Sequence, residues 1–250
     1  MTRPPDNIIT IYGRKPVLEA LNQPTIQFFR VHLADSNQAS DIIKSIKQRC
    51  RQRDIDCRYH DRQSLSRISK NRKQDQGVAA DIINPQAQLF ADFLRAKIPA
   101  NCAIIAIDNV TNPQNLGMII RSVTAGGIDG LLLPRRGCAR LDSLAIKASA
   151  GSVFNSNLLF CDDLLSALHA AKAKGFFVYG LSLSNSKAIN ELEFKHPHIL
   201  ILGNESEGIS ADVSALCDQL IHIPMSNGIE SLNVSVTAGI LSFRTLFLNN

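Results

Sequence analysis

The strongest constraint on the fold is a series of continuous apolar runs in the C-terminal part of the chain. From residue 103 onward, these runs are separated by turns and by segments with helical spacing, such as residues 117–125 and 162–174. The runs read AIIAI, GLLLP, LLF, FFVYGL, ILILG and LIHIP. Strands that are apolar on both faces belong to parallel sheets covered by helices on both sides. The sequence therefore predicts an α/β domain with a parallel sheet.

Positive charge is concentrated in the N-terminal third. Residues 1–80 contain 15 Lys and Arg against 8 Asp and Glu, whereas the rest of the chain contains 12 against 14. Residues 44–73 alone hold 11 basic and 3 acidic side chains. Such a run can be a solvated helical face, but a polyanion relieves its self-repulsion most simply. We therefore favour nucleic acid as the partner of this region.

The basic region is itself predicted to be a small α/β domain. Residues 8–21 predict an extended segment, a turn at Gly13 and a helix with Pro16 in its first turn. Three further elements are expected: a strand around residues 28–33, an amphipathic basic helix over residues 40–53 and a closing strand over residues 77–83. The predicted organisation is a basic nucleic-acid-binding domain over residues 1–83, a linker over residues 84–101 and a second domain over residues 102–250.

Several classes of protein are disfavoured by composition. No apolar run approaches the length of a membrane span, and the first ten residues lack the apolar core of a signal peptide. The six cysteines are scattered without a CxxC pair, and the close pair His196 and His198 lacks a third candidate ligand. We expect a cytoplasmic protein, with an organelle as the alternative, that has free thiols, no membrane association and no metal site.

Three loops after predicted strands are rich in Gly, Asn and small polar residues: residues 108–122, 203–208 and 220–243. Ligands of open α/β sheets lie beyond the carboxyl ends of the strands, so these loops are the candidate site. None of them contains the dinucleotide fingerprint GxGxxG or the phosphate loop GxxxxGK[ST], and no nucleophile elbow is visible. The patterns of nicotinamide oxidoreductases, nucleotide hydrolases and serine hydrolases are thus missing from these loops.

The last of these loops sets polar residues into the start of an apolar helix. Three polar residues alternate there with three apolar ones: Ser231, Leu232, Asn233, Val234, Ser235 and Val236. Capping of the helix N-terminus accounts for one of the polar residues. The alternation predicts two faces, one that packs and one that meets a ligand.

Arg121 is the unusual residue of the first loop. It lies among apolar residues at a predicted helix start, where an unpaired guanidinium would be costly. We expect a salt bridge to an acid such as Glu205, a functional role, or both. Gly117, between Asn115 and Arg121, permits close backbone approach.

Taken together, the three loops resemble the three motifs of the SpoU/TrmH class of SPOUT RNA 2′-O-ribose methyltransferases. The matching segments are NPQNLGMIIR, ILGNESEG and IPMSNGIESLNVSV, and their order, spacing and strand contexts agree over residues 103–250. Two N-terminal segments, IYGRKPVLEAL and QGVAA, give a shorter match. They are similar to the substrate-binding domain of the bacterial enzymes that methylate a guanosine in large-subunit ribosomal RNA.

The resemblance implies an α/β fold with a C-terminal trefoil knot, S-adenosylmethionine held in the knot, and a homodimer whose active site draws on both subunits. By position in the motifs, the cofactor-binding residues are Gly203, Asn204, Ile223, Met225 and Leu232. The residues used for catalysis or substrate placement are Asn115, Arg121, Glu205, Ser231 and Asn233. Asn227, where many members have Gly, and Thr237, where they often have Ala, depart from the third motif.

The implied reaction is methylation of a ribose 2′-hydroxyl in RNA, with ribosomal RNA as the expected substrate. The resemblance implies that Arg121 activates this hydroxyl. We expect Arg121 to bind the adjacent phosphate and to stabilise negative charge, with deprotonation of the hydroxyl by Arg121 as the alternative. Glu205 orients Arg121, and Asn233 orders its loop. Asn115 and Ser231 fix the ribose or the arginine. A transfer-RNA ribose methyltransferase and a catalytically silent RNA-binding factor of ribosome assembly are the alternatives.

Overall fold

The structure is a computed structural model that describes residues 8–84 and 87–248. The chain forms two compact units. The described part of the first unit comprises residues 8–84 together with residues 141–147, and that of the second comprises residues 87–140 and 148–248. The predicted domains and linker also include residues 1–7, 85–86 and 249–250, which lie outside the described residues.

The first unit is a small α/β fold, as predicted. Its elements in chain order are β1 (Ile8–Tyr12), α1 (Arg14–Leu21), β2 (Gln27–Ala34), α2 (Asp41–Gln52), β3 (Cys57–His60), α3 (Arg62–Ser69) and β4 (Val78–Ile83). The sheet order is β1-β4-β2-β3. Strand β4 is antiparallel to β1 and β2, and β3 is parallel to β2. Strand β3 is therefore an edge strand.

The basic helix of this unit is amphipathic. On α2, Ile43, Ile46 and Cys50 are buried at the spacing of one helical face. The basic side chains occupy the remaining surface, which leaves them accessible. The next helix, α3, begins at a cap in which Asp61 accepts hydrogen bonds from the amides of Gln63 and Ser64, both at 2.8 Å.

The second unit is built on a parallel sheet. The remaining elements in chain order are β5 (Gln88–Leu89), α4 (Phe90–Phe93), β6 (Ala103–Ile107), α5 (Pro113–Ala125), β7 (Gly130–Pro134), α6 (Ser143–Ala148), β8 (Leu158–Cys161), α7 (Leu164–Ala173), β9 (Phe177–Leu181), β10 (Lys187–Ala188), β11 (His198–Leu202), α8 (Ala211–Leu216), β12 (Gln219–His222) and α9 (Val234–Leu248). Residues 143–147 of α6 belong to the first unit. The strand order is β10-β12-β9-β11-β6-β7-β8-β5, and every described pairing is parallel.

The apolar runs account for the interior of this sheet. Every residue of β6, β7 and β11 is buried, which confirms the prediction of strands covered on both faces. Helix α9 packs against α5. A Cβ on Gly126 would overlap Ser242 of α9, so the glycine at the end of α5 permits the two helices to approach closely.

The prediction of a linker over residues 84–101 is wrong for most of its length. Residues 88–93 form β5 and α4, and β5 pairs with β8 at the edge of the sheet. Phe90 is 2% exposed and Leu94 6% exposed, and both belong to the core of the second unit. Prolines at residues 85 and 99 suggested a linker, but burial of these apolar side chains holds the segment in the fold.

Within the described part of the chain, no helix is both long and apolar enough to cross a membrane. All six cysteines are free thiols, as expected.

Candidate active site

An open cavity lies where three neighbouring strands of the second unit end. It has a volume of about 460 Å³ and is walled by the loops after β9, β11 and β12 and by the start of α9. These strands lie side by side and are parallel, so their carboxyl ends reach the same edge of the sheet. A ligand site is expected at this position in an open α/β sheet.

The cavity gathers most of the residues that the motifs predict. All five predicted cofactor residues line it: Gly203, Asn204, Ile223, Met225 and Leu232. Two predicted catalytic residues, Glu205 and Ser231, also line it. Asn115 forms hydrogen bonds with Glu205 and with Asn233, whereas Arg121 bonds to none of them.

The loop after β11 is held by its own backbone. Asn204 and Gly208 exchange two backbone hydrogen bonds, each 2.9 Å long, and Gly208 has a φ of +72°. A Cβ on Gly203 would overlap the backbone of Gly208 and Ile209. Because only glycine fits at position 203, this residue closes the loop that walls the cavity.

The Asn204 side chain fastens the same loop. Its Oδ1 accepts a hydrogen bond from the Ser206 amide at 2.9 Å, and its Nδ2 donates to the Asn109 carbonyl at 3.0 Å. Asn109 follows β6, which is the neighbour of β11 in the sheet. Asn204 therefore ties two adjacent loops together as well as lining the cavity.

The loop between β12 and α9 contains a tight turn. Asn227 has a φ of +58° and Gly228 a φ of +72°. Asn tolerates this left-handed conformation better than other residues with a side chain. The departure from glycine at Asn227 is therefore compatible with the turn between the cavity residues Met225 and Leu232.

Asn233 caps the start of α9. Its Oδ1 accepts a hydrogen bond from the Ser235 amide at 2.9 Å, and its carbonyl accepts from the amides of Val236 and Thr237 at 3.0 and 3.1 Å. The prediction that one of the three polar residues acts as a cap is confirmed. The predicted packing face is wrong at Val236, which is 50% exposed. The prediction assumed that every second residue shares a face, but α9 begins at Val234, and in a helix side chains repeat every 3.6 residues.

Three residues, one from each motif, form a hydrogen-bonded chain beside the cavity. Asn115 donates through Nδ2 to Oε1 of Glu205, and its Oδ1 accepts from Nδ2 of Asn233 at 3.2 Å. Asn115 is 6% exposed, and both polar atoms of its buried side-chain amide have hydrogen-bond partners. This chain of Asn115, Glu205 and Asn233 fixes three loops that are far apart in sequence.

Arg121 does not contact this chain. It is exposed on α5, and no residue in the described part of the protein forms a hydrogen bond or an ion pair with its guanidinium. The expected salt bridge to Glu205 is absent, and Glu205 accepts a hydrogen bond from Asn115 instead. The helical period explains the difference, because six residues at 3.6 per turn place Arg121 about 120° around α5 from Asn115.

Sequence reasoning missed one wall of the cavity. Residues 181–184, the last residue of β9 and the three that follow it, line the cavity. The signal was available, because the polar segment SLSNS follows the apolar run FFVYGL as the other loops follow theirs. Thr237, the second departure from the third motif, is 9% exposed and also lines the cavity.

The chemistry that these residues can support is one of positioning. His222 lines the cavity, and its Nδ1 lies 2.9 Å from Oγ of Ser186, but no acidic side chain of a described residue contacts this imidazole. A Ser-His-acid set is therefore not assembled. Among the described residues, no three His, Cys, Asp or Glu side chains are grouped to hold a metal ion.

Two known families match separate parts of the chain. Residues 103–243 match the SpoU rRNA methylase family, and residues 10–88 match the substrate-binding region of RNA 2′-O ribose methyltransferases. The first match contains nearly all of the parallel-sheet unit and its cavity. The second contains the basic region.

Similar sequences span most of the chain. An uncharacterized tRNA/rRNA methyltransferase of Mycobacterium ulcerans (strain Agy99) is 31% identical over 237 residues, which cover 94% of this chain and 76% of that protein. A relative with the same description from Mycolicibacterium smegmatis is 31% identical over 242 residues, which cover 96% and 76%.

Solved structures share the fold. The SpoU methyltransferase AviRb from Streptomyces viridochromogenes, solved in complex with AdoMet, has a TM-score of 0.66 at 20% identity and covers 97% of this chain and 91% of its own. An AdoMet-bound rRNA methyltransferase from Sinorhizobium meliloti has a TM-score of 0.66 at 21% identity and covers 96% and 87%. These likenesses establish the α/β fold, and the sequence matches establish the family. The chain therefore belongs to the SpoU rRNA methylase family and is an RNA methyltransferase.

Proposed function

We propose that the protein transfers a methyl group from S-adenosylmethionine to a ribose 2′-hydroxyl of RNA in the cytoplasm, specifically to a guanosine of large-subunit ribosomal RNA. The observation that carries this proposal is a ligand-sized cavity beside the hydrogen-bonded chain of Asn115, Glu205 and Asn233. The match of residues 10–88 to a substrate-binding region supports RNA as the substrate.

The cavity suits a nucleoside cofactor. Its volume of about 460 Å³ lies within the roughly 300–1,000 Å³ that small-molecule sites occupy. Ile223, Met225 and Leu232 offer apolar surface for an adenine base, while Gly203 and Asn204 offer polar groups for the sugar and the amino acid part. When bound, S-adenosylmethionine supplies a methyl group that its positive sulfur already activates.

The reaction that the residues must assist is a displacement at a methyl carbon. The ribose 2′-oxygen bonds to that carbon as the carbon–sulfur bond breaks, and the hydroxyl proton passes to water. Alignment of the three atoms and stabilisation of charge on the oxygen both lower the barrier. We assign ribose placement to Asn115 and Ser231. Arg121 acts as a cation on the adjacent phosphate.

We assign Glu205 a different role from the one expected. It accepts a hydrogen bond from Asn115 and so orients the amide of that residue. Asn233 holds the other end of the same amide. Glu205 and Asn233 therefore act as positioning residues for Asn115, and Arg121 has to be oriented by another partner.

A second copy of this chain is the proposed partner of helix α9. Four side chains on one side of this helix are between 36% and 72% exposed: Val236, Ile240, Phe243 and Phe247. Spacings of three and four residues place them on a single face. Met118 on the neighbouring helix α5 is also exposed. A contiguous apolar surface of this kind is typical of a protein interface, and a homodimer would cover it.

The dimer would also give Arg121 a partner. Arg121 lies three residues after Met118 on the exposed side of α5, so the proposed interface carries it toward the other subunit. An active site that combines the Asn115 of one subunit with the Arg121 of its partner would explain why Glu205 and Arg121 do not meet within one chain.

Subunit mixing tests this arrangement. Arg121→Ala and Asn115→Ala proteins, each strongly impaired alone, are co-refolded in equal amounts. If the site combines two subunits, mixed dimers regain one intact site and the mixture recovers about a quarter of wild-type activity, as a two-fold symmetric dimer requires. If both residues act within one subunit, the mixture is no more active than the separate variants.

We also propose the trefoil knot that the resemblance implies. After the edge-side strand β12, the chain returns to pack α9 against α5, which follows the interior strand β6. This long return path supports threading of the C-terminal segment. Pulling the unfolded chain by its two ends in optical tweezers provides the test: a knotted chain stays shorter than its full contour length, and an unknotted chain reaches it.

Methyl transfer from labelled cofactor into total RNA tests the function itself. The expected product is a 2′-O-methylated ribose, identified by nuclease digestion and nucleoside analysis, and a methylated base would contradict the reaction type. Mapping of 2′-O-methylation with and without the protein identifies the RNA. If only transfer RNA is methylated, the substrate is transfer RNA and not ribosomal RNA. Failure to bind S-adenosylmethionine in calorimetry would favour a catalytically silent RNA-binding factor.

Arg121→Ala tests the assignment of Arg121. We expect turnover to fall by about 100-fold or more, while the Kd for S-adenosylmethionine stays within about twofold. Near wild-type turnover with normal binding of RNA and cofactor would contradict the assignment.

A further inference from the structure

The 11 cations of residues 44–73 fall into two groups. Some are part of the structure of the first unit: the Arg53 guanidinium donates to three backbone carbonyls, and Arg62 pairs with the buried carboxylate of Asp75 at 2.7 Å. Others form no side-chain hydrogen bond or ion pair with any described residue, namely Lys47, Arg51, Arg67, Lys70, Arg72 and Lys73. Only the second group is free to meet a ligand.

One free cation lies against an exposed aromatic ring. Tyr59 on the edge strand β3 is 53% exposed, which is unusual for a large side chain on a strand. The Nζ of Lys47 on α2 lies 5.1 Å from the centroid of this ring. The ring and the cation come from different elements, so the fold itself brings them together.

A second cation of α2 lies near the same face of β3. Side chains two residues apart on a strand share a face, so Tyr59 lies with Cys57 on the side that meets α2. Cys50 donates a hydrogen bond to Cys57, and the charges of Lys47 and Arg51 lie close enough to Cys57 to act on its thiol. Lys47 and Arg51 are four residues apart, on neighbouring turns of one helical face.

We propose that Tyr59, with Lys47 and Arg51, forms a stacking site for one unpaired nucleotide of the substrate RNA. The ring of Tyr59 stacks on the base, and the two cations bind the phosphates on either side. The identity of the polyanion as RNA rests on the proposed function. This stacking site lies on the first unit and prefers unpaired RNA to duplex RNA.

Stacking is the reason for this preference. Bases in a duplex cover each other's faces, whereas an unpaired base can stack on an aromatic side chain. Stacking of this kind contributes about 1–3 kcal/mol per base and does not depend on the 2′-hydroxyl. Single-stranded RNA and single-stranded DNA should therefore depend on Tyr59 to the same extent.

Intrinsic fluorescence provides a direct measurement. The chain contains three tyrosines and no tryptophan, and Tyr12 and Tyr179 are buried. Titration of the full-length protein with a ten-residue oligouridylate should quench tyrosine emission. Tyr59→Phe should keep the Kd within about twofold and lose the quenching, and Tyr59→Ala should raise the Kd by about tenfold.

A matched pair of lysines separates stacking from general charge. Lys44 and Lys47 lie one turn apart on α2, but Lys44 pairs with Asp41 at 3.7 Å and has no aromatic contact. Lys47→Ala should raise the Kd for the oligouridylate by about three- to tenfold, and Lys44→Ala by less than about twofold. Equal effects of the two substitutions would show that only net charge matters and would overturn the stacking site.

A duplex RNA of the same length completes the test. Tyr59→Ala should change its Kd by less than about twofold, and an equal loss for duplex and single strand would overturn the proposal. An unchanged oligouridylate Kd in Tyr59→Ala would also overturn it. These outcomes are distinct from failure of the proposed function, which is a lack of methyl transfer to any RNA by a protein that still binds the oligouridylate.

Discussion

The two units differ in where they place most of their charged groups and in how they hold their thiols, although the first unit also buries His32 and Asp75. The second unit buries several polar and ionisable groups: Asn115 and His198 are 6% and 0% exposed, and burial raises the pKa values of Cys102 and Cys161 to about 12. The first unit keeps most of its cations at the surface, and the hydrogen bond from Cys50 lowers the pKa of the half-exposed Cys57 thiol. A cavity that positions a small ligand needs fixed groups, whereas a surface that meets a polyanion needs accessible charge.

This contrast predicts different tolerance to substitution. Residues that form the cavity wall are constrained by backbone contacts, so a small change there should affect both the fold and the ligand. Residues that form the basic surface have few neighbours, so their loss should alter binding and leave the fold intact.

Gly203→Ala should have the largest effect. The added Cβ overlaps the backbone of Gly208 and Ile209, so the loop must move. We expect a loss of about 3 kcal/mol in the free energy of unfolding and a Kd for S-adenosylmethionine at least about 100-fold higher. Gly175→Ala is the control: its φ is +88° with open space around it, so about 1–2 kcal/mol is lost and cofactor binding is kept. Equal affinity of Gly203→Ala and Gly175→Ala for S-adenosylmethionine would contradict the expectation that the cavity wall is constrained by backbone contacts.

Asn115→Ala should have the next largest effect, on turnover. It removes the group that links Glu205 to Asn233. We expect turnover to fall by about 30- to 100-fold, with the Kd for S-adenosylmethionine within a few-fold of the wild-type value. The neighbouring exposed residue provides the control, since Gln114→Ala should retain turnover. Similar losses in both variants would show that the helix start, not the hydrogen-bonded chain, is what matters.

A pH dependence of stability should follow from His198. Burial, and secondarily the nearby His196, lower the pKa of His198 to about 3, against 6.5 for an ordinary histidine. Between these values the unfolded chain binds a proton that the folded chain does not, so the free energy of unfolding decreases as the pH falls below about 6.5. The expected decrease from this group is about 2 kcal/mol between pH 7.5 and pH 5, measured by urea denaturation.

Two variants isolate this contribution. His198→Leu should flatten the pH dependence, whereas His169→Gln, at an exposed position on α7, should keep the wild-type profile. Indistinguishable profiles of the wild type and His198→Leu would mean that the buried imidazole does not govern the acid sensitivity of the second unit.

The smallest expected effect is a difference in cysteine alkylation rate, which can be compared directly between the two units. At pH 7.5, iodoacetamide should alkylate Cys57 about tenfold faster than Cys102, Cys161 or Cys217, because burial raises the pKa of each of the latter thiols. Cys50→Ala removes the donor to Cys57 and should slow its alkylation. Peptide mass spectrometry over time gives the individual rates, and faster labelling of any thiol in the second unit would reverse the comparison.

Much of the fold could be predicted because local patterns specify it. Continuous apolar runs identified the strands of the parallel sheet, and the spacing of Ile43, Ile46 and Cys50 identified the buried face of α2. The linker prediction failed because two prolines were given more weight than Phe90 and Leu94. Their burial depends on a core that forms only when distant strands meet, which a local pattern does not contain.

The candidate site shows the same limit. Motif positions identified residues at the cavity, but the partners within it are set by three-dimensional geometry. Glu205 bonds to Asn115 and not to Arg121, because the helical period of α5 places these two residues on different sides. The role of Tyr59 was equally hidden, since its exposure and its contact with Lys47 depend on where β3 lies in the sheet.

The wide spread of the cavity residues has a consequence during protein synthesis. The sheet of the first unit is complete once Ile83 has been made, whereas the cavity requires residues as late as Thr237. Domains fold as units while the chain emerges from the ribosome at about 5–20 residues per second, so the intervening stretch takes on the order of ten seconds. During that interval the nascent protein already exposes its positive surface, and so it can hold RNA before it is able to modify it.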